Sequence, residues 1–176
     1  MRILITRISP LMTLVLILNT CLMYGQTPSV ADSSTLRKIG ELSPVLSITA
    51  VDGQIIDFHG KVTVINFFAT WCGPCMTEMP RLEKDLWQTL REKGLVLVAV
   101  GREHSRDEVD IFRKSNAYTF HFASDPKRAI YSLFATQYIP RSVLIGRDGR
   151  IKYQSMGYSD EDFAALVQAA KEELSK

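Results

Sequence analysis

Apolar and polar positions alternate along this chain in three regimes. Residues Ile8 to Leu18 form a mostly apolar run with Pro10 as its only breaker, and residues 26–40 turn polar and small, with Thr27, Pro28, Ser33, Ser34 and Thr35. A body follows in which short apolar runs alternate with helical patterns. From Val45 to Phe58 two such runs flank Asp52-Gly53, a pairing that predicts a hairpin. Val62 to Ala69 reads as one continuous run suited to a fully buried central strand, and Leu95 to Val100 as a second. Between them, Met79, Leu82, Leu86 and Leu90 recur at helical spacing within Met76 to Lys93, and Gly94 supplies the stop.

The second half predicts a helix over Arg106 to Lys114, a strand over Phe120 to Ala123, and a helix opened by Asp125-Pro126 and running to Phe134. Strands at Val143 to Ile145 and Ile151 to Gln154 surround a turn at Asp148-Gly149, and Asp160 is read as the cap of a closing amphipathic helix through Leu174. No internal repeat is visible. Strand–helix alternation followed by a hairpin and a helix implies an α/β sandwich around a mixed sheet. The expected division is residues 1–25 as a signal peptide or membrane anchor, 26–40 as a linker and 41–176 as the folded domain.

The leader carries Arg2 and Arg7 and no acidic residue precedes Asp32, the pattern of an export signal. Three fates are open to it. Cleavage after Gly25 would leave Gln26 as the new terminus. Cys21, in Leu18-Asn19-Thr20-Cys21, could carry a lipid anchor, although Asn19 and Thr20 are poor occupants of a lipoprotein box. An uncleaved short anchor is the third. Each fate places the body outside the cytoplasm. Removing residues 1–25 takes two of the 21 basic residues and none of the 19 acidic ones, so the exported body carries no net charge. With no basic stripe interleaved with aromatics, nucleic acid is not an expected partner.

Charge thus decides little, and cysteine decides more. Of three cysteines, Cys21 lies in the leader, which leaves Cys72 and Cys75 in a compartment where disulfides form. Closing so short a loop removes little unfolded-state entropy, so a reversible dithiol is a better reading than a structural staple. Half of a zinc knuckle is the competing reading. It needs two more ligands, and only His59, His104 and His121 are on offer at scattered positions, each read as a surface or loop residue.

The segment Phe67-Phe68-Ala69-Thr70-Trp71-Cys72-Gly73-Pro74-Cys75 resembles the active site of thioredoxins. Its surroundings resemble the TlpA/ResA branch of exported thioredoxin-like reductants over about residues 41–176. Asp52-Gly53, Gly60-Lys61, Pro80, Ile139-Pro140 and Asp148-Gly149 fall where that branch has its hairpin, strand start, helix kink, cis-proline and final turn. The resemblance implies a thioredoxin-like sandwich, a central mixed β-sheet flanked by helices with an N-terminal β-hairpin extension.

Placed at a helix start, Cys72 would meet unsatisfied N–H groups and the positive end of the dipole, both favouring thiolate. It is the expected attacking cysteine. Cys75, one turn deeper, would resolve the mixed disulfide. Gly73 and Pro74 restrict the short ring, and Trp71 is expected to cover one side of the site. Thioredoxins bury an aspartate six residues before the first cysteine; here that position is Asn66, which cannot exchange a proton. Glu78 is the expected proton partner of Cys75, as the resemblance implies, against the plainer reading that the helix dipole favours any first-turn glutamate. The resemblance also makes Pro140 cis and leaves the backbone of Ile139 to pair with an extended substrate. Arg141 stands where threonine is common, and a solvated arginine is the expectation for it. Pro80 is read as a kink.

The function these residues imply is reduction of disulfides in exported proteins, an apocytochrome c among the candidates, with electrons from a membrane thiol donor and no cofactor beyond the Cys72–Cys75 disulfide. A thiol peroxidase is the alternative within the same fold, disfavoured because Ala69 stands where peroxidatic sites have a threonine or serine hydroxyl. A copper- or client-binding module is the alternative from another class. A monomer is the default expectation.

Overall fold

The computed structural model describes residues 33–176. The leader with its three fates, and the first part of the expected linker, lie outside the described residues. Two short strands, β1 (Ser47–Thr49) and β2 (Ile55–Asp57), form an antiparallel hairpin, and five strands form the main sheet. These are β3 (Val62–Phe68), β4 (Leu95–Arg102), β5 (His121–Asp125), β6 (Arg141–Ile145) and β7 (Ile151–Met156), in the spatial order β5-β4-β3-β6-β7. β3, β4 and β5 run parallel to one another, while β6 is antiparallel to β3 and β7 to β6. This is the mixed sheet and N-terminal hairpin expected from the sequence. Gly53, at φ 91°, takes the left-handed position that the hairpin turn requires.

All seven residues of β3 are buried, as its run of apolar residues anticipated. Its side chains alternate between two apolar layers: Val62, Val64 and Phe68 pack into one, Ile65 and Phe67 into the other. The first layer is covered by helix α1 (Gly73–Arg81) and its continuation, through Met79, Leu82, Leu86 and Leu90, and by Phe163, Leu166 and Ala170 of the closing helix. The helix after α1 is not uniform. Pro80 has no N–H to give, so the regular ladder is interrupted, and residues Leu82–Trp87 wind as a π-helix before a short α2 (Gln88–Leu90). The Gln88 N–H reaches back to the Glu83 carbonyl, a five-residue step. Gly94, at φ 92°, ends the helix.

Helix α3 (Arg106–Ser115) opens with a capping box between Ser105 and Glu108. The closing helix α4 (Asp160–Leu174) has Ser159, not Asp160, as its cap: the Ser159 hydroxyl accepts the Asp162 N–H, and Asp160 is the first helical residue. The expected helix from Asp125 to Phe134 is absent. Asp125 instead ends β5, where it is buried, and its carboxylate accepts the N–H groups of Ile130 and Tyr131 at 3.1 and 2.8 Å. Arg128 adopts φ 58°, which no α-helix accommodates, and only a 3₁₀ turn at Tyr131–Leu133 forms. Packing replaces the missing ladder, because Tyr131 and Phe134 both lie against Phe67, with ring centroids 5.3 and 5.4 Å away.

Residues 34–40, within the expected linker, are bonded to the domain. Thr35 bridges to Ala135, the Leu36 N–H donates to the Phe134 carbonyl, and the Gly40 N–H to that of Ile151. Arg141 explains much of this attachment. It is not solvated but 1% exposed, and its guanidinium donates to Thr35 Oγ1 at 2.9 Å, Ser34 Oγ at 3.1 Å and the Gln137 carbonyl at 3.3 Å. A buried guanidinium is retained only where such donors are matched. Arg141→Ala is expected to lower stability by about 2–4 kcal/mol in urea unfolding, through the cavity and the lost charge-assisted bonds. Amide exchange at residues 34–40 should accelerate first; a variant with parental protection there would refute the clamp.

Candidate active site

The end of β3 leads through Ala69, Thr70 and Trp71 into α1, and Cys72 occupies the cap of that helix. Its backbone is extended, at φ −86° and ψ 106°, and the Cys75 N–H points at its Sγ from 3.3 Å. Pro74 sits in the first turn, where its missing N–H costs nothing, and no acidic residue there offsets the positive helix end. Cys72 and Cys75 are joined as a disulfide with Cα atoms 5.2 Å apart. Cys72 retains 6% of its surface and Cys75 1%, so an incoming sulfur meets Cys72 first.

Outside the disulfide lies a shallow groove of about 390 Å³, lined by Trp71, Cys72, Gly73, Pro74, Arg102, Tyr138 and Ile139. Trp71 is 66% exposed and forms a wall of the groove, not a lid on it. The Ile139–Pro140 bond is cis, and the Ile139 carbonyl lies 3.7 Å from Cys72 Sγ. Pro140 itself is buried, and Ile139 supplies the groove surface. The structure therefore gathers Trp71, Cys72, Gly73, Pro74 and Ile139 at one place.

Two groove residues carried no signal in the apolar pattern. Tyr138 is held at φ 69° and is largely exposed, while its carbonyl accepts the Tyr131 hydroxyl at 2.8 Å. Arg102, at the end of β4, places its guanidinium 5.8 Å from the Trp71 ring and 5.1 Å from that of Tyr131, and pairs with Glu103 at 3.0 Å. It is the cation of the groove, and only the pairing of β4 beside β3 brings it there.

Beneath the disulfide is a buried carboxyl group. Glu78, 3% exposed, lies in the second turn of α1, so the helix dipole is not its reason for being there. Asn66 Nδ2 donates to one of its oxygens at 2.9 Å and the Ser142 hydroxyl to the other at 3.3 Å. The same Asn66 nitrogen lies 3.0 Å from Ser142 Oγ, and the two residues face each other in the β3–β6 register. Burial pushes the Glu78 carboxyl up to about 7, while the bonds from Asn66 and Ser142 hold it lower than burial alone would. A carboxyl that titrates near neutrality one turn from Cys75 can give or take a proton where water is excluded. Ser142 was not legible as a site residue, since its place depends on strand register.

The three histidines do not share one environment. His59 is exposed and pairs with Asp57, and His121 is half-buried on β5. His104 lies in the loop after β4, as a loop residue, but it is buried and not at the surface.

The redoxin family model matches residues 43–170. The thiol–disulfide oxidoreductase ResA of Oceanobacillus iheyensis is 27% identical over 147 residues, covering 80% of this chain and 76% of the relative. The protein of the same name from Bacillus thuringiensis subsp. konkukian is 32% identical over 123 residues, covering 68% and 70%. Among solved structures, a candidate protein disulfide isomerase from Bacteroides thetaiotaomicron superimposes with a TM-score of 0.76 at 35% identity, covering 81% of this chain and 94% of that one. With the cysteine pair at the head of α1 and the cis-proline beside it, the chain belongs to the redoxin family, as a thioredoxin-fold thiol–disulfide oxidoreductase of the TlpA/ResA type.

Proposed function

We propose that this oxidoreductase works outside the cytoplasm and reduces disulfides in exported client proteins, an apocytochrome c among the candidates. The observation that carries the reading is the asymmetry of the pair: Cys72 lines an open groove at a helix N-terminus, whereas Cys75 is enclosed one turn above a protonatable Glu78. The apolar leader with Arg2 and Arg7 supports export.

In the reduced protein the Cys72 thiolate attacks one sulfur of the client disulfide, and the other client sulfur leaves as a thiolate. Cys75 then loses its proton to the Glu78 carboxylate and attacks Cys72 Sγ, releasing the second client thiolate. Two electrons pass to the client and the Cys72–Cys75 disulfide forms. A thiol donor at the membrane must reduce it before the next turnover. The Ile139 backbone and the walls formed by Trp71 and Tyr138 would hold the client segment extended across Cys72.

The reduction potential of the pair, read by thiol trapping across defined redox buffers, tests the direction. A value near the roughly −270 mV of thioredoxin or below supports a reductant, and one near the roughly −120 mV of DsbA would make the protein an oxidant. Cys75→Ser is expected to accumulate a mixed disulfide through Cys72 that mass spectrometry can locate, and Cys72→Ser to lose exchange altogether. Trapping through the other cysteine would reverse the assignment.

Glu78→Gln is expected to slow exchange by roughly a hundredfold while the domain still folds. Stability supplies a second readout. Because the folded-state value of Glu78 is raised, from 4.5 to about 7, the folded form binds the extra proton. The stabilisation from this group is complete below 4.5 and is lost as pH rises through 7. The parent should therefore lose up to about 3 kcal/mol relative to Glu78→Gln across that window. Parallel pH–stability curves would show that Glu78 is not held protonated.

A further inference from the structure

The turn that presents Cys72 is held at a point that the thiol chemistry leaves unexplained. The Cys72 N–H donates to the Ala69 carbonyl at 3.1 Å, closing a turn over Thr70 and Trp71. Within it, the Thr70 N–H donates to Nε2 of His104 at 2.9 Å, and Thr70 Oγ1 lies 3.3 Å from the same nitrogen. A backbone N–H can only donate, so Nε2 is the acceptor and the imidazole proton sits on Nδ1. Nδ1 is 4.0 Å from Glu108 Oε2, which is itself held by the Ser105 N–H and hydroxyl.

Delivery of this imidazole shapes the local backbone. His104 follows the end of β4, where Glu103 takes φ 64°, a conformation uncommon for a residue with a side chain. The Glu103 N–H is fixed on the Asp125 carbonyl at 2.9 Å, and that of His104 on the Gly101 carbonyl at 3.3 Å. Gly101 leaves the room the ring and α3 need: a Cβ there would stand 2.5 Å from Val109 Cγ2 and 3.3 Å from His104 Cβ. A glycine, a left-handed glutamate and a buried histidine in four residues thus bring one acceptor to one amide, two residues before Cys72.

We propose that His104 is a positioning residue for the thiol exchange: by accepting the Thr70 N–H it fixes the Ala69–Cys72 turn, and so sets Cys72 Sγ against the N–H groups at the head of α1. This rests on Cys72 being the attacking thiol. Satisfying a buried amide would by itself stabilise the fold, but it would leave the ionisation of Cys72 unchanged. Loss of the acceptor from a positioning residue lets the turn shift, weakens the contact of the Cys75 N–H with Cys72 Sγ and makes the thiolate less favoured.

Two amide variants of the full chain separate these roles. His104→Gln places Oε1 three bonds from Cβ, near the position of Nε2, whereas His104→Asn ends one bond shorter and cannot reach Thr70. The readout is the rate of iodoacetamide alkylation of each cysteine in the reduced protein as a function of pH, with the modified residue identified by mass spectrometry. Relative to the parent, His104→Asn should shift the Cys72 profile to higher pH and slow alkylation at neutral pH roughly five- to tenfold, while His104→Gln stays within about threefold. Cys72 reacting first in the parent, with superimposable profiles in the two variants, overturns this inference alone. Cys75 reacting first in the parent would overturn the assignment of the attacking thiol, and this inference with it.

Discussion

Strand β3 is closed to water along its whole length, and the chemistry of this protein is suspended from its C-terminal end. A fully buried strand is an interior one, and β3 lies in the middle with β4 on one side and β6 on the other. That position fixes three sources of side chains at once. The strand's own continuation delivers Trp71 and Cys72, the end of β4 and the loop after it deliver Arg102 and His104, and β6 with the cis-proline segment before it delivers Ser142 and Ile139. None of these residues would be neighbours in a different strand order.

The same burial explains why a carboxyl group can be held one turn from Cys75. Within the row of β3 side chains that faces α1, Val62, Val64 and Phe68 are apolar and Asn66 is not. A polar side chain in such a row needs a partner, and it finds one in Glu78. Each group makes the other tolerable: the amide donates to a carboxylate that would otherwise be costly to bury, and low solvent access keeps that carboxyl near neutrality in its titration.

What the sequence could show follows from the range of the interactions involved. Local signals were legible: the buried runs that became β3 and β4, Gly94 as a stop, Asp52-Gly53 as a hairpin turn, and the cysteine pair at a helix start. Asp125-Pro126 misled because a cap and a proline are local features, whereas the fate of Asp125 was decided by its pairing beside Arg102 and by Tyr131 and Phe134 seating on Phe67. Ser142, Arg102 and His104 belong to the same class. Their importance lies in what stands opposite them across the sheet, and no spacing along the chain encodes that. Arg141 is the sharpest case, an arginine whose charge suggested solvent and whose partners lie about a hundred residues earlier.

Those partners also bear on where the domain is considered to start. The redoxin family model covers residues 43–170, whereas hydrogen bonds to the domain continue back to Ser34. Trimming the chain to the matched span would strip Ser34 and Thr35 from a guanidinium that sits immediately after the cis-proline. The cis-proline segment, which lines the groove through Ile139, would then lose its rear support. In this protein a stretch that looks like tether is part of the frame behind the groove.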